Sequence, residues 1–325
     1  MTELPRAKRL WMTAAGLYLG GRNTLFRVAP GVGDGLMRLT RVGGRGGGVD
    51  GDEAARYFTA VVDDYARVAE AAGLGEHLFR GRTVMELGPG DTRAVALLAR
   101  LRGAESVDGC DRFDIQVRDH DRLRPMYERL LALSGEGVSW ADARRMIDAV
   151  RVFPSLDEAR DARRRYDLVI SRAVLEHVRD VEGLHRQLRE VTTPDAVIVH
   201  KVDLRSHGFE LDHPLDFLLF SERRWSALTS HIGEPNRLRA PSYVELARRR
   251  GFTVLKAWAS KSITAAEAEA LRPSLAEPFR SMPASTLAVL GVWLVMVREG
   301  HPLAARAPEI DPDHLPPAPS GLSRY

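Results

Sequence analysis

The stretch "TVMELGPGDT", residues 83–92, runs a short apolar segment through Glu86 into a Gly88-Pro89-Gly90 bend. Five mostly apolar residues closed by a Gly/Pro turn read as a buried strand feeding a loop. A dinucleotide-binding turn needs a third glycine three positions after the second, and Arg93 stands there. A phosphate-binding P-loop fails as well, because no Gly-Lys-Ser/Thr follows. Glu86 would also repel a pyrophosphate at short range. A carboxylate beside a bare bend suits a cationic ligand instead, such as an ammonium next to a sulfonium. Taken alone, the stretch is equally a tight strand-to-helix turn.

Working outward, apolar runs and helical periodicities alternate along the chain. Strands are expected at 83–87, 105–111, 149–155, 166–171, 195–203, 253–258 and 287–297. Helical patterns fall at 52–74, 92–101, 181–191, 241–252 and 264–278, and much of 112–148 looks helical too. Strands alternating with helices imply an α/β, doubly wound, mostly parallel seven-stranded sheet. Such sheets bind ligands beyond the carboxyl ends of their strands. Residues 1–52 form an N-terminal helical, basic extension ending in the glycine-rich "RVGGRGGGVDGD" (41–52), and 53–300 form the main domain. Within that domain, 204–240 is an insertion after the fifth strand on the acceptor side. The Pro/Ala-rich segment 301–325 is expected to be disordered.

A second acid closes the second strand in "VDGCDRF", where Asp111 could accept both ribose hydroxyl protons. Asp108 is a rival, but it falls inside the strand. With this pair in place, the chain resembles class I S-adenosylmethionine-dependent methyltransferases. "VMELGPGDT" matches their first motif and "VDGCD" their second-strand acid. "YDLVISRAVLEHVRDVEGLHRQLREVTTPDAVIVHKVD" (166–203) resembles the run from their fourth to their fifth strand. The resemblance covers about residues 80–260. A narrower likeness, in "HKVDLRSH" and "PNRLR", is to bacterial members associated with surface-glycan or secondary-metabolite clusters.

The resemblance implies a Rossmann-like methyltransferase fold with S-adenosyl-L-methionine as cofactor. It implies a cofactor-binding set of Glu86, Gly88, Pro89, Gly90, Asp91, Thr92, Asp111, Arg112 and Ser171. Thr92 replaces a glycine common in relatives; it can cap the next helix or offer a hydroxyl to the methionine carboxylate.

Methyl transfer mainly requires that an acceptor atom be aligned with the methyl carbon. A base helps when the acceptor is a hydroxyl, and imidazole titrates near neutrality. His177 lies just after the fourth strand and is either a base or a ring packed under the cofactor. His200, Lys201, Asp203, His207, His213 and Asp216 crowd the end of the fifth strand. Alternation puts His200 and Val202 on one face and Lys201 and Asp203 on the other. His177, His200, Asp203 and His207 therefore compete for the base role, with Asp203–His207 a candidate carboxylate–imidazole pair. An ordinary hydrogen-bonded loop and a divalent-ion site are the rival readings, and no metal ligand set is expected. Asn236, Arg237 and Arg239 either clamp an anionic acceptor or brace the insertion. Phe217, Phe220 and Trp225 read as a small local core, and Glu176 as a capping carboxylate.

Composition narrows the partners. The net charge is only +3 despite 47 Lys and Arg among 325 residues. Only four of the basic residues are lysines, the imprint of a GC-rich bacterial genome, and they form no cluster that favours nucleic acid. One cysteine, Cys110, excludes a disulfide framework. No apolar run reaches the roughly 20 residues of a spanning helix, although the basic amino-terminal helix could rest on a membrane surface. The expectation is a cytoplasmic methyltransferase acting on oxygen of a small-molecule or glycan-like acceptor. The alternatives are a non-catalytic cofactor-binding partner, an N-methyltransferase, or transfer of another group on the same fold.

Overall fold

Seven strands form one sheet in the order β3-β2-β1-β4-β5-β7-β6. They are β1 (Thr83–Leu87), β2 (Ser106–Cys110), β3 (Val152–Phe153), β4 (Tyr166–Arg172), β5 (Thr192–Asp203), β6 (Phe252–Ser262) and β7 (Val289–Arg298). This computed structural model describes residues 5–29, 31–32, 51–113, 116–207, 210–232 and 234–323. β1 pairs in parallel with both β2 and β4, so the winding reverses between β1 and β4. A ligand crevice is expected at that switch point, beyond the strand ends. β7 inserts antiparallel between β5 and β6. The expected Rossmann-like, mostly parallel α/β sheet is the architecture observed.

The elements differ from expectation at a few ends. Ladder pairing at 149–155 shrinks to Val152–Phe153 on the sheet edge, where Pro154 has no N–H to continue it. The helix expected over 264–278 stops at Leu271, where Pro273 has no N–H to continue the α-helical hydrogen-bond ladder.

Strand alternation divides the core in two. Val84, Ile170, Val197 and Val199 face the layer of α1 (Gly51–Ala71) and α2 (Ala94–Leu101). Met85, Leu87, Val169 and Ile198 face the opposite layer, which includes α3 (Val181–Val191) and α4 (Ala240–Arg249). A third cluster joins the amino-terminal helix Arg6–Val28 to the insertion through Leu19, Phe26, Phe217, Phe220 and Trp225. Lys8 binds Asp216 at 2.8 Å, and Arg22 binds Glu234 at 2.7 Å. The amino-terminal helix thus braces the insertion. Among the described residues no helix is long and apolar enough to cross a membrane. The glycine-rich stretch 41–50 lies outside the described residues, and Gly51 and Asp52 already belong to α1.

The carboxyl-terminal segment corrects an expectation. Residues after Gly300 were expected to be disordered, yet Ala259 N–H donates to Pro316 O at 2.8 Å and Ala318 N–H to Ala259 O at 2.9 Å. The edge strand β6 offers unpaired backbone groups, and an extended Pro-rich segment can cover them. Further on, Ser323 N–H donates to the Asp64 carboxylate at 2.7 Å, and Arg172 reaches the same carboxylate at 3.0 Å. Asp64 is buried, so Asp64→Ala leaves the Arg172 guanidinium without this partner. The expected loss is about 3–5 kcal/mol of unfolding free energy in a urea titration; an unchanged midpoint refutes the role.

Candidate active site

A cavity of about 1170 Å³ opens beyond the carboxyl ends of β1, β4 and β5 and is roofed by Tyr57, Phe58, Val61 and Tyr65 of α1. Its floor is the turn after β1. Gly88 has φ +65°, and a Cβ there would lie 2.4 Å from Val174 Cγ2. Glycine is required on both counts, since the left-handed region is costly for other residues and β-branched Val174 yields little. Gly90 is also left-handed, with φ +71°. The bend is tied down on three sides. Gly88 N–H donates to Cys110 O at 2.8 Å, Val117 N–H donates to Asp91 O at 2.9 Å, and Gln116 Nε2 donates to Gly90 O.

Two carboxyls flank this bend. Glu86 shares a face with Val84 by strand alternation, and burial followed by the charge of Asp111 pushes its pKa up to about 8. Burial raises Asp111 as well, opposed by N–H groups of Phe113, at 2.9 Å, and Gly90. The Asp111 charge makes Glu86 harder to ionise, so a cation beside Glu86 relieves that cost. Asp108, the rival, points away: Arg164 Nε binds it at 2.8 Å and Tyr166 Oη at 2.9 Å. A side-chain-free cradle beside two acids fits a cationic adenosine compound and does not fit a pyrophosphate.

Pro89 and Asp91 line the cavity beside Glu86, Gly88 and Gly90. Thr92 is buried, and its hydroxyl accepts Ala94 N–H at 3.4 Å at the start of α2. Arg112 is exposed, its guanidinium 5.5 Å from the Phe113 ring centroid. Two expected residues fall elsewhere. Ser171 Oγ and His200 Nδ1 lie 2.6 Å apart, both fully buried. Burial, and then His185, hold the His200 pKa down to about 3. His200 sits among the buried groups on the sheet face opposite the cavity, so neither it nor Ser171 lines the cavity. That corrects their expected roles.

At the far end of the cavity His177 and His207 meet edge to face, ring centroids 4.8 Å apart. His207 has φ +54°, an uncommon conformation for a residue with a side chain. The expected Asp203–His207 pair is loose, at 4.0 Å, because Arg205 draws Asp203 away at 2.6 Å. Burial alone would raise Asp203, but Arg205 and His207 hold it below the ordinary carboxylate value. Glu176 is the nearer acid, 3.5 Å from His207 Nε2. Burial pushes its carboxyl well above the ordinary range. Burial of the imidazole likewise lowers His207. Periodicity around "VLEHV" carries no sign that Glu176 turns inward, since a three-residue 3-10 turn, Leu175–His177, sets its direction.

Arg172 enlarges the site beyond expectation and joins Lys201 in lining the cavity. Lys201 and Arg172 both stack on Trp293, at 5.6 and 5.7 Å from its centroid. Burial, reinforced by Arg172, lowers Lys201 to about 8. Arg237 and Arg239, at the end of the insertion, brace it instead. Arg239 is 1% exposed and donates to Leu204 O at 2.7 Å, while Arg237 donates to Phe220 O at 2.5 Å. Asn236 Nδ2 donates to Leu175 O and Val178 O, both at 2.8 Å, and clamps the turn that carries Glu176 and His177.

The seven-stranded order, the glycine cradle at its switch point and the paired acids define an S-adenosylmethionine-dependent methyltransferase. The chain belongs to the family described as "Methyltransferase domain", whose model matches residues 54–257. Among solved structures it is similar to an S-adenosylmethionine-dependent methyltransferase from Mesorhizobium loti, with 18% identity over 73% of this chain and 100% of that one, TM-score 0.41. It is also similar to magnesium protoporphyrin IX methyltransferase from Synechocystis, with 14% identity over 85% and 97% of the two chains, TM-score 0.44. None of the curated proteins matches it.

Proposed function

We propose that this methyltransferase acts on a hydroxyl of a small-molecule or glycan-like acceptor. Glu86 and Asp111 hold the cofactor's cationic and hydroxyl groups in this reading, over the backbone of Gly88, Pro89 and Gly90. S-adenosyl-L-methionine, when bound, supplies a methyl group already activated on its sulfonium. His177 and His207 activate the acceptor hydroxyl at the other end of the cavity. Asn236 keeps the His177 turn in place, and Arg205 and Asp203 hold the start of the loop that carries His207. The roof from α1 limits water access. One observation carries the reading: a single cavity is lined by Glu86, Gly88 and Gly90 at the bend and by His177 and His207 at the paired imidazoles.

The test is product formation from a labelled methyl donor across a panel of hydroxyl and amine acceptors. His177→Ala and His207→Ala should each lower turnover by about 10²–10⁴ and leave cofactor affinity unchanged in calorimetry. Full turnover in both variants, or product only with amines, rejects hydroxyl activation by this pair.

A further inference from the structure

Beneath the two imidazoles lies a third donor. One ring nitrogen each of His177 and His207 and one carboxylate oxygen of Glu176 lie within 4.8 Å of one another. The 3.5 Å between Glu176 Oε1 and His207 Nε2 is close to the roughly 3.4 Å that tetrahedral bonds of about 2.1 Å would give. Glu176 is 1% exposed, and no side chain donates a hydrogen bond to either of its carboxylate oxygens. A buried polar group left that way is costly, and native structures nearly always satisfy it. A bound cation would complete it.

We infer that Glu176, His177 and His207 bind one divalent first-row cation, zinc by donor type, at the acceptor end of the cavity. Two imidazoles and one carboxylate with an open position make the donor set of a catalytic zinc. Oxygen-only cages, which magnesium and calcium prefer, are not what this turn offers. The ligands are held in advance of binding. Asn236 fixes the 3-10 turn from both sides, its own N–H donating to Glu176 O at 2.6 Å. The left-handed backbone at His207 swings its ring over that of His177. Such pre-fixed supports are what metal ligands require.

This inference deepens the hydroxyl-acceptor reading and rests on it. With the cation bound, the imidazoles are ligands, and the ion takes over the activation. The acceptor oxygen fills the open position, its O–H bond breaks more easily, the electron pair stays on the oxygen, and the proton passes to solvent.

The experiment is titration of the chelator-treated full chain with Co²⁺, followed by visible absorption, with no acceptor present. One Co²⁺ per chain should enter with the intense bands of a four-coordinate ion, and Zn²⁺ should displace it. Glu176→Gln, His177→Ala and His207→Ala should each weaken uptake at least about a hundredfold. Unchanged cofactor binding in the same variants shows that they are folded. Absent uptake, or equal uptake in all three variants, overturns the site. Because no acceptor is used, that result leaves hydroxyl methylation standing. Intact Co²⁺ uptake combined with methylation of amines alone would instead sink the acceptor reading.

Discussion

Gly88→Ala is expected to abolish cofactor uptake at ordinary concentrations. Two costs meet at this residue. A left-handed backbone carrying a Cβ costs about 1–2 kcal/mol, and the new methyl would stand 2.4 Å from Val174 Cγ2. The bend can escape only by moving away from Val174, which widens the cradle that the cofactor needs. One of these costs alone corresponds to roughly a tenfold loss of affinity, and both together to considerably more. Calorimetry of the variant gives the direct measure. A double variant that also carries Val174→Ala removes the clash and leaves the backbone cost, so partial recovery is expected. Wild-type affinity in Gly88→Ala would show that the backbone of this turn does not hold the ligand.

The second large effect concerns Glu86 and pH. In the cofactor-free protein, burial and Asp111 hold its pKa up to about 8, and Tyr65 is the other titratable group coupled to it. A cationic ligand favours the ionised carboxylate, so binding near neutrality expels a proton from Glu86. Affinity should therefore rise by up to about tenfold per pH unit from pH 6 towards 8, then level off. The sign for folding is opposite. A folded pKa above the unfolded value stabilises the ligand-free protein at low pH, and that contribution is lost as pH rises from about 4.5 through 8. Glu86→Gln should flatten both profiles and weaken cofactor binding. Calorimetry in buffers of different ionisation enthalpy counts the released proton directly. Zero release at pH 7 with tight binding would mean that Glu86 does not face the cation.

The residues proposed for the cofactor half of the site are set by local determinants. Glu86 follows from strand parity, the bend from two glycines in three residues, and Asp111 from its place at the end of a strand. The neighbouring Asp108 could be set aside on the same ground, and Arg164 and Tyr166 indeed occupy it. The acceptor half was only partly legible. Alternation separated His200 from Asp203 without saying which face carried the cavity. Glu176 read as a helix-start carboxylate, and its approach to His207 spans 31 residues of chain. The tail after Gly300 has the composition of a disordered segment, yet the open edge of β6 takes up its backbone.

Sequence alone determined the order of strands and helices, the glycine bend and the two acids beside it, because each depends on spacings of a few residues. Tertiary packing decided the rest. Once α1 covers one face of the sheet, Lys201 and Asp203 line the cavity while His200 is buried on the far side. The loop after β5 then folds back to bring His207 against His177 and Glu176. Parity assigns side chains to faces, but only the helix layer packed against a face determines whether that face becomes core or site.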